Sequence, residues 1–191
     1  MFRSRQLRFM LGLGLATALL ITLLVILFNQ GTSSVKTPTP KPMAAYANNP
    51  TASVTMLIDG PVNASSLHNQ VQISVSNSNT VLKIYTGYNS KVTASYAYPM
   101  SEAAFHVFLR SLEFAGYNYG SPRTDLSQAS GFCPTGDRYI FSFNADNKQL
   151  QRFWTTSCNG AHTYNGNLDL TVQLFEAQVP NYIDLTSDLN I

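Results

Sequence analysis

The chain has 191 residues, of which 45% are hydrophobic and 12% charged, and a formal net charge of +2. Beyond residue 50 seven Lys and Arg stand against ten Asp and Glu, a balance near −3. That leaves no basic stripe to neutralise phosphates, so nucleic acid is not an expected partner, and the 141 residues from 51 to 191 suffice for one ordinary domain.

The first eight residues carry Arg3, Arg5 and Arg8 and no acid. Phe9 to Phe28, FMLGLGLATALLITLLVILF, then runs without a charge. As a helix it is about 30 Å long, the thickness of a bilayer's hydrocarbon core. The pattern predicts a transmembrane helix over 9–28 with a basic cytoplasmic tail over 1–8 and everything after it extracytoplasmic, a single-pass signal-anchor in the cell membrane. A cleaved signal peptide is the alternative, but its apolar stretch is usually about 7–15 residues. Ala45-Tyr46-Ala47 resembles a cleavage box yet stands far beyond Phe28, and Gly31-Thr32-Ser33 is better placed. Residues 29–50, with four prolines and many small polar residues, read as a semi-rigid linker.

The remainder, 51–191, predicts an α+β domain. SVTMLI (53–58) is a short β-prone run, and QVQISVS (70–76) alternates apolar and polar. TVLKIYTG and KVTASYAY follow across short polar turns, so these last three strands read as an antiparallel meander. Ser101 caps a helix that ends at Gly116, with Ala104, Phe105, Phe108, Leu109 and Leu112 as its apolar stripe. DRYIFSFN, a turn at ADNK and QLQRFWTT form a hairpin. A second helix over about 168–178 stops before Pro180. It carries Leu168, Val172, Phe175 and Val179 on one side and Leu170, Leu174 and Ala177 on another, which predicts cover on both. The sum is an antiparallel sheet, meander plus tied hairpin, with two helices packed on it.

The two cysteines carry the sharpest question. With the hairpin midpoint set between Ala145 and Asp146, Tyr139 faces Arg152, Phe141 faces Leu150 and Cys133 faces Cys158. A disulfide across the open base is the expectation, in keeping with an exported location. A zinc site of Cys133, Cys158 and His162 lacks a fourth ligand, and a Cys158–His162 dyad needs a free thiolate and an orienting group such as Asp169. On the same register Trp154 shares a face with Leu150, opposite Tyr139, Phe141 and Phe143, under Phe105, Phe108 and Leu112. Arg152 then lies at that layer's edge.

No catalytic set, metal site or cofactor motif emerges. His106 lies between Glu102 and Arg110 at helical spacing, which surface pairing explains. Six tyrosines point instead to binding: Tyr85, Tyr88, Tyr96, Tyr98, Tyr117 and Tyr119 gather in segments rich in Gly, Ser and Asn. Tyrosine offers large amphipathic area at low entropic cost. These six form the candidate contact surface for a protein or an envelope glycan; ordinary sheet tyrosines with their hydroxyls in water are the competing reading.

The stretches LKIYTGYNSKVTASYAYPMSEAAFHVFLRSLEFAGY, CPTGDRYIFSF, QRFWTTSC and LFEAQVPNY resemble an uncharacterised family. Its members are membrane-anchored exported proteins of candidate-phyla-radiation, Saccharibacteria-like bacteria. The resemblance, over about 70–182, implies location and paired cysteines and no reaction. The element order is also similar to that of emfourin-type protease inhibitors, which implies an exposed loop or terminus entering a protease cleft. The expectation is therefore an anchored, non-catalytic binding domain, with a protease inhibitor, or a small hydrolase using His106 or His162, as alternatives.

Overall fold

The computed structural model describes residues 41–89, 91–121 and 123–191. The apolar run 9–28, its basic flank and the linker up to residue 40 lie outside the described residues. Among the described residues no helix is long and apolar enough to cross a membrane. The elements are β1 (Ser53–Asp59), β2 (Asn69–Ser76), β3 (Asn79–Thr86), β4 (Lys91–Pro99), α1 (Glu102–Phe114), β5 (Arg138–Ala145), β6 (Lys148–Thr156), α2 (Leu168–Glu176) and α3 (Tyr182–Thr186). All six strands form one antiparallel sheet in the order β4-β3-β2-β1-β5-β6.

The meander follows from the alternation in the sequence. Val71, Ile73 and Val75 of β2 are buried on the face that also carries Val54, Met56 and Ile58 of β1 and Leu82 and Ile84 of β3. Helices α1 and α2 cover this face through Phe105, Phe108, Leu109, Leu112 and Phe175. Ser101 caps α1 by accepting from the Ala104 N–H. At its other end Gly116 is left-handed, and the Gly116 and Tyr117 N–H groups return to the Glu113 and Leu112 carbonyls. That Schellman geometry closes the helix and aims Tyr117 inward.

Four expectations are corrected. The linker ends before residue 50: Met43–Tyr46 forms a 3₁₀ turn, Met43 and Ala47 are 2% and 4% exposed, and Tyr46 meets Phe143 edge-on at 5.2 Å. Met43, Ala44, Ala45 and Tyr46 supply the apolar surface that the proline-rich stretch lacks. Ala104 is exposed rather than part of the buried stripe. Helix α2 ends at Glu176, and α3, unforeseen, starts after Pro180 at a left-handed Asn181. The second side of α2 is only partly covered: Ala177 is exposed, and the half-buried Leu170 and Leu174 line an open groove with Val107 and Phe114.

The hairpin register changes most. Asp146 and Asn147 both have positive φ, so the turn is the two-residue kind whose twist suits a hairpin. Its midpoint lies one residue later than the sequence symmetry suggests, and a bulge between Phe143 and Asn144 adds one further offset. Tyr139 therefore faces Thr155, and Phe141 faces Phe153, not Arg152 and Leu150. Beyond the bulge the total offset is odd, so every β6 side chain from Gln151 onward changes face. Phe153 joins the helix-covered core, while Trp154 lies on the opposite face beside Ile140. There it is 1% exposed, packed by Leu126, Ala129 and Phe132 from the α1–β5 loop, with Nε1 donating to the Leu126 carbonyl at 2.6 Å. Arg152 shares that face and donates to the Ser127 carbonyl at 2.8 Å.

Cys133 and Cys158 are disulfide-bonded with Cα atoms 5.6 Å apart, at the base of the hairpin where the Ser157 N–H reaches the Asp137 carbonyl. A crosslink over this separation stabilises by about 3–4 kcal/mol in the chain-entropy model. The zinc and dyad readings end here, because neither sulfur is a thiolate.

Trp154→Ala is expected to destabilise the protein by about 3–5 kcal/mol. Because Trp154 holds the α1–β5 loop and not α1, hydrogen exchange in the variant rises first over 124–132. Uniform protection loss across α1 instead would contradict the two-face arrangement.

Candidate binding edge

The two edges of the sheet are unlike. Strand β6 is covered at Trp154: the Thr163 and Tyr164 N–H groups bond to the Trp154 carbonyl, the Thr163 hydroxyl accepts from the Trp154 N–H, and Tyr164 bridges to Gly120. Strand β4, KVTASYAYP, pairs with β3 alone. The Met100 N–H bonds to the Ser78 carbonyl, one step beyond the Asn79–Pro99 pair. By the two-residue period Tyr98, Tyr96 and Ala94 also direct their backbone groups at β3, and Ser95 and Ala97 direct theirs outward. Among the described residues those outward groups meet no backbone partner.

Sheet edges are normally blunted by charge, proline, bulges or brevity. In β4 these devices sit at the ends. Lys91 opens the strand, Pro99 closes it, and a bulge falls opposite Ile84 and Tyr85. Val92 to Tyr98, VTASYAY, has no charge and no proline. Val92 is 46% and Tyr96 38% exposed.

The six tyrosines do not form one surface. Tyr96 and Tyr98 stand on β4 opposite Leu82 and Thr80, on the helix-covered face, where Tyr98 packs against the core. Tyr85 lies on the other face and donates to Gln72 Oε1 at 3.2 Å. Tyr88, on the β3–β4 turn, stacks on His68 at 4.2 Å and donates to the Asn63 carbonyl at 2.8 Å. Tyr119 is exposed on the loop after α1. Tyr117 is fully buried, its hydroxyl 2.8 Å from the Ser142 carbonyl and 3.1 Å from that of Thr55, so it leaves the contact surface. The cause is its place directly after Gly116, which turns it into the core.

Sequence reasoning also missed a buried charge network at the β1 end. The register puts Asp59 between Arg138 of β5 and Gln70 of β2. Arg138 Nη2 lies 2.8 Å from Asp59 Oδ2 and donates to the Gly60 carbonyl, and Gln70 donates to Asp59 Oδ1 at 2.8 Å. His68 Nε2 is 3.0 Å from the same Oδ1, while Nδ1 is 3.0 Å from the Pro61 carbonyl. Both His68 and Arg138 are buried. The signal in the sequence was only an Asp ending one strand and an Arg beginning another, 79 residues further along.

Around Tyr139 a second group of acids gathers. Burial pushes the Asp137 and Glu176 carboxyls up, and burial with the nearby Asp137 charge pushes Tyr139 up to about 12. Burial raises the Tyr182 hydroxyl strongly as well. These phenols stay protonated. His106 and His162 are both exposed, with His162 Nδ1 2.9 Å from the Gly160 carbonyl. Among the described residues no three His, Cys, Asp or Glu are placed to hold a metal. No protein-family model, curated protein or solved structure matches the chain.

Two outcomes test these networks. Arg138→Met leaves Asp59 without its guanidinium and is expected to lower stability by about 3–5 kcal/mol, with Asp59→Leu added to it recovering part of the loss in denaturant titration. Glu176 binds its proton more tightly folded than at its ordinary value of 4.5, so its ionisation lowers stability as pH rises through the folded value. Glu176→Gln therefore raises the melting temperature at about pH 7, and the gain shrinks towards about pH 4. A gain independent of pH would rule out that origin.

Proposed function

We propose that the chain is a single-pass membrane-anchored protein whose extracytoplasmic domain is a non-catalytic binding module, and that it takes a polypeptide partner as an added strand on β4. The observation that carries this is the open edge: Ser95 and Ala97 present unpaired backbone donors and acceptors in the middle of a nine-residue strand. Such an edge recognises extended backbone first and side chains second. Tyr96 beside it supplies amphipathic area to an arriving strand. A polypeptide suits the edge better than an envelope glycan, since what it offers is a main-chain ladder. The uncharged run 9–28 behind three arginines supports the anchor and its orientation. The Cys133–Cys158 bond supports an oxidising compartment.

The test has two parts in native cells. External protease is expected to remove the domain from intact cells; protection would overturn the placement. A photo-activated crosslinking residue at Ser95 is expected to trap a polypeptide adduct that the same residue at exposed Ser187 does not. Equal labelling at both positions, or none at Ser95, would overturn the docking edge.

A further inference from the structure

The partner can be named from the chemistry of the strand. We infer that the strand β4 receives is β4 of a second copy of this chain, antiparallel, joining two six-stranded sheets across a two-fold axis perpendicular to them. The inference rests on the reading of β4 as a docking edge.

Self-complementarity is the argument. Only Ser95 and Ala97 direct a full N–H and C=O set outward from the regular part of the strand, since Thr93 falls in the bulge and Pro99 lacks an N–H. An antiparallel pair centred on Tyr96 places Ser95 opposite the Ala97 of the other copy, and Ala97 opposite its Ser95. Both sets are then exchanged, giving four main-chain hydrogen bonds. The same register sets Tyr98 against the small Ala94 of the other copy, so bulk meets space there, and sets Tyr96 beside its own counterpart as an aromatic cross-strand pair. In a two-fold pair of this kind the facing residues point to the same side, so both helix layers lie on one face of the joined sheet.

Charge points the same way. Lys91 stands at the start of β4, and Glu102 stands just beyond its end, at the first turn of α1. Both are exposed, and neither is in an ion pair among the described residues. Because Lys91 and Glu102 lie at opposite ends of β4, an antiparallel pair brings the Lys91 end of each copy towards the Glu102 end of the other, and does so twice. A parallel pairing would align Lys91 with Lys91.

The experiment uses the full chain in a zwitterionic detergent. Wild type is expected to sediment as a dimer of the 21.0 kDa chain after detergent correction. Tyr96→Cys sits on the axis in a non-hydrogen-bonded pair, whose Cα spacing of about 4.5 Å is within disulfide reach. It is expected to give a reducible dimer band on mild oxidation, whereas Ser187→Cys is not. Ala97→Pro removes an outward N–H, a change that edge strands tolerate, and is expected to leave a folded monomer. Lys91→Glu is expected to weaken the dimer about tenfold, and Glu102→Lys in the same chain to restore it. That rescue needs no change in the fold and reads contact between copies alone.

A wild type that is monomeric up to about 100 μM, far above the micromolar affinities of weak specific pairs, overturns the inference. So does a dimer indifferent to Ala97→Pro and to the charge reversal. An adduct trapped from Ser95 in cells at a mass other than twice the chain's would do the same while keeping β4 as a docking edge. Loss of both dimer and adduct would remove the edge reading altogether.

Discussion

Strand β1 is paired on both sides, to β2 by a short connection and to β5 across some eighty residues, and the rest of the domain is arranged around that second pairing. A local meander and a distal hairpin meet along this seam. Loop closure over such a distance opposes folding, so the contacts that make the seam have to offset it. Three kinds do so here. Met56 and Phe141 face each other in the core, the Tyr117 hydroxyl reaches the Thr55 and Ser142 carbonyls of the two strands, and Asp59 pairs with Arg138 at the end. The last pair also bonds Gly60 and approaches His68, so the loop leading into β2 is tied to the same point.

The two faces of the sheet are stabilised differently. One is a broad core under α1 and α2, built from aliphatic strands and aromatic helix residues. On the other, Ser, Thr and Gln fill most β1 and β2 positions, and apolar burial is concentrated in a small cluster where Trp154 and Ile140 meet the loop bearing Leu126 and Ala129. The disulfide holds the end of that loop against the hairpin base. A loop of this length has little periodic structure to hold it, so a covalent bond and one buried indole with its hydrogen bond replace the packing that a helix would provide.

The difference between the two sheet edges has the same economy. The chain after β6 folds back on its own strand, so that edge is covered from within at Trp154. After β4 the chain leaves the sheet at Pro99 and enters α1 within three residues, so nothing returns to the β4 edge. The open edge is thus a product of connectivity, and the centre of its strand carries neither charge nor proline to blunt it.

Local signals in the sequence were enough for the meander and for α1 with its Ser101 cap and Gly116 stop, because each depends on periodicity or on residues close in the chain, while the cysteine pairing stood, despite the changed register, because the chain has only two cysteines and they flank one hairpin. They also marked Tyr96 and Tyr98 as notable, without separating them from Tyr117, whose direction depends on a helix terminus packing onto a sheet. Tertiary structure decided the rest. The face of Trp154 turned on one bulge, an offset that composition does not encode, since QLQRFWTT offers an aromatic to either face. The position of β1 beside β5, the Asp59–Arg138 pair that follows from it and the identity of the open edge are long-range outcomes. A strand carries no local mark of which neighbours it will have; that is decided only when the whole sheet competes for its backbone hydrogen bonds.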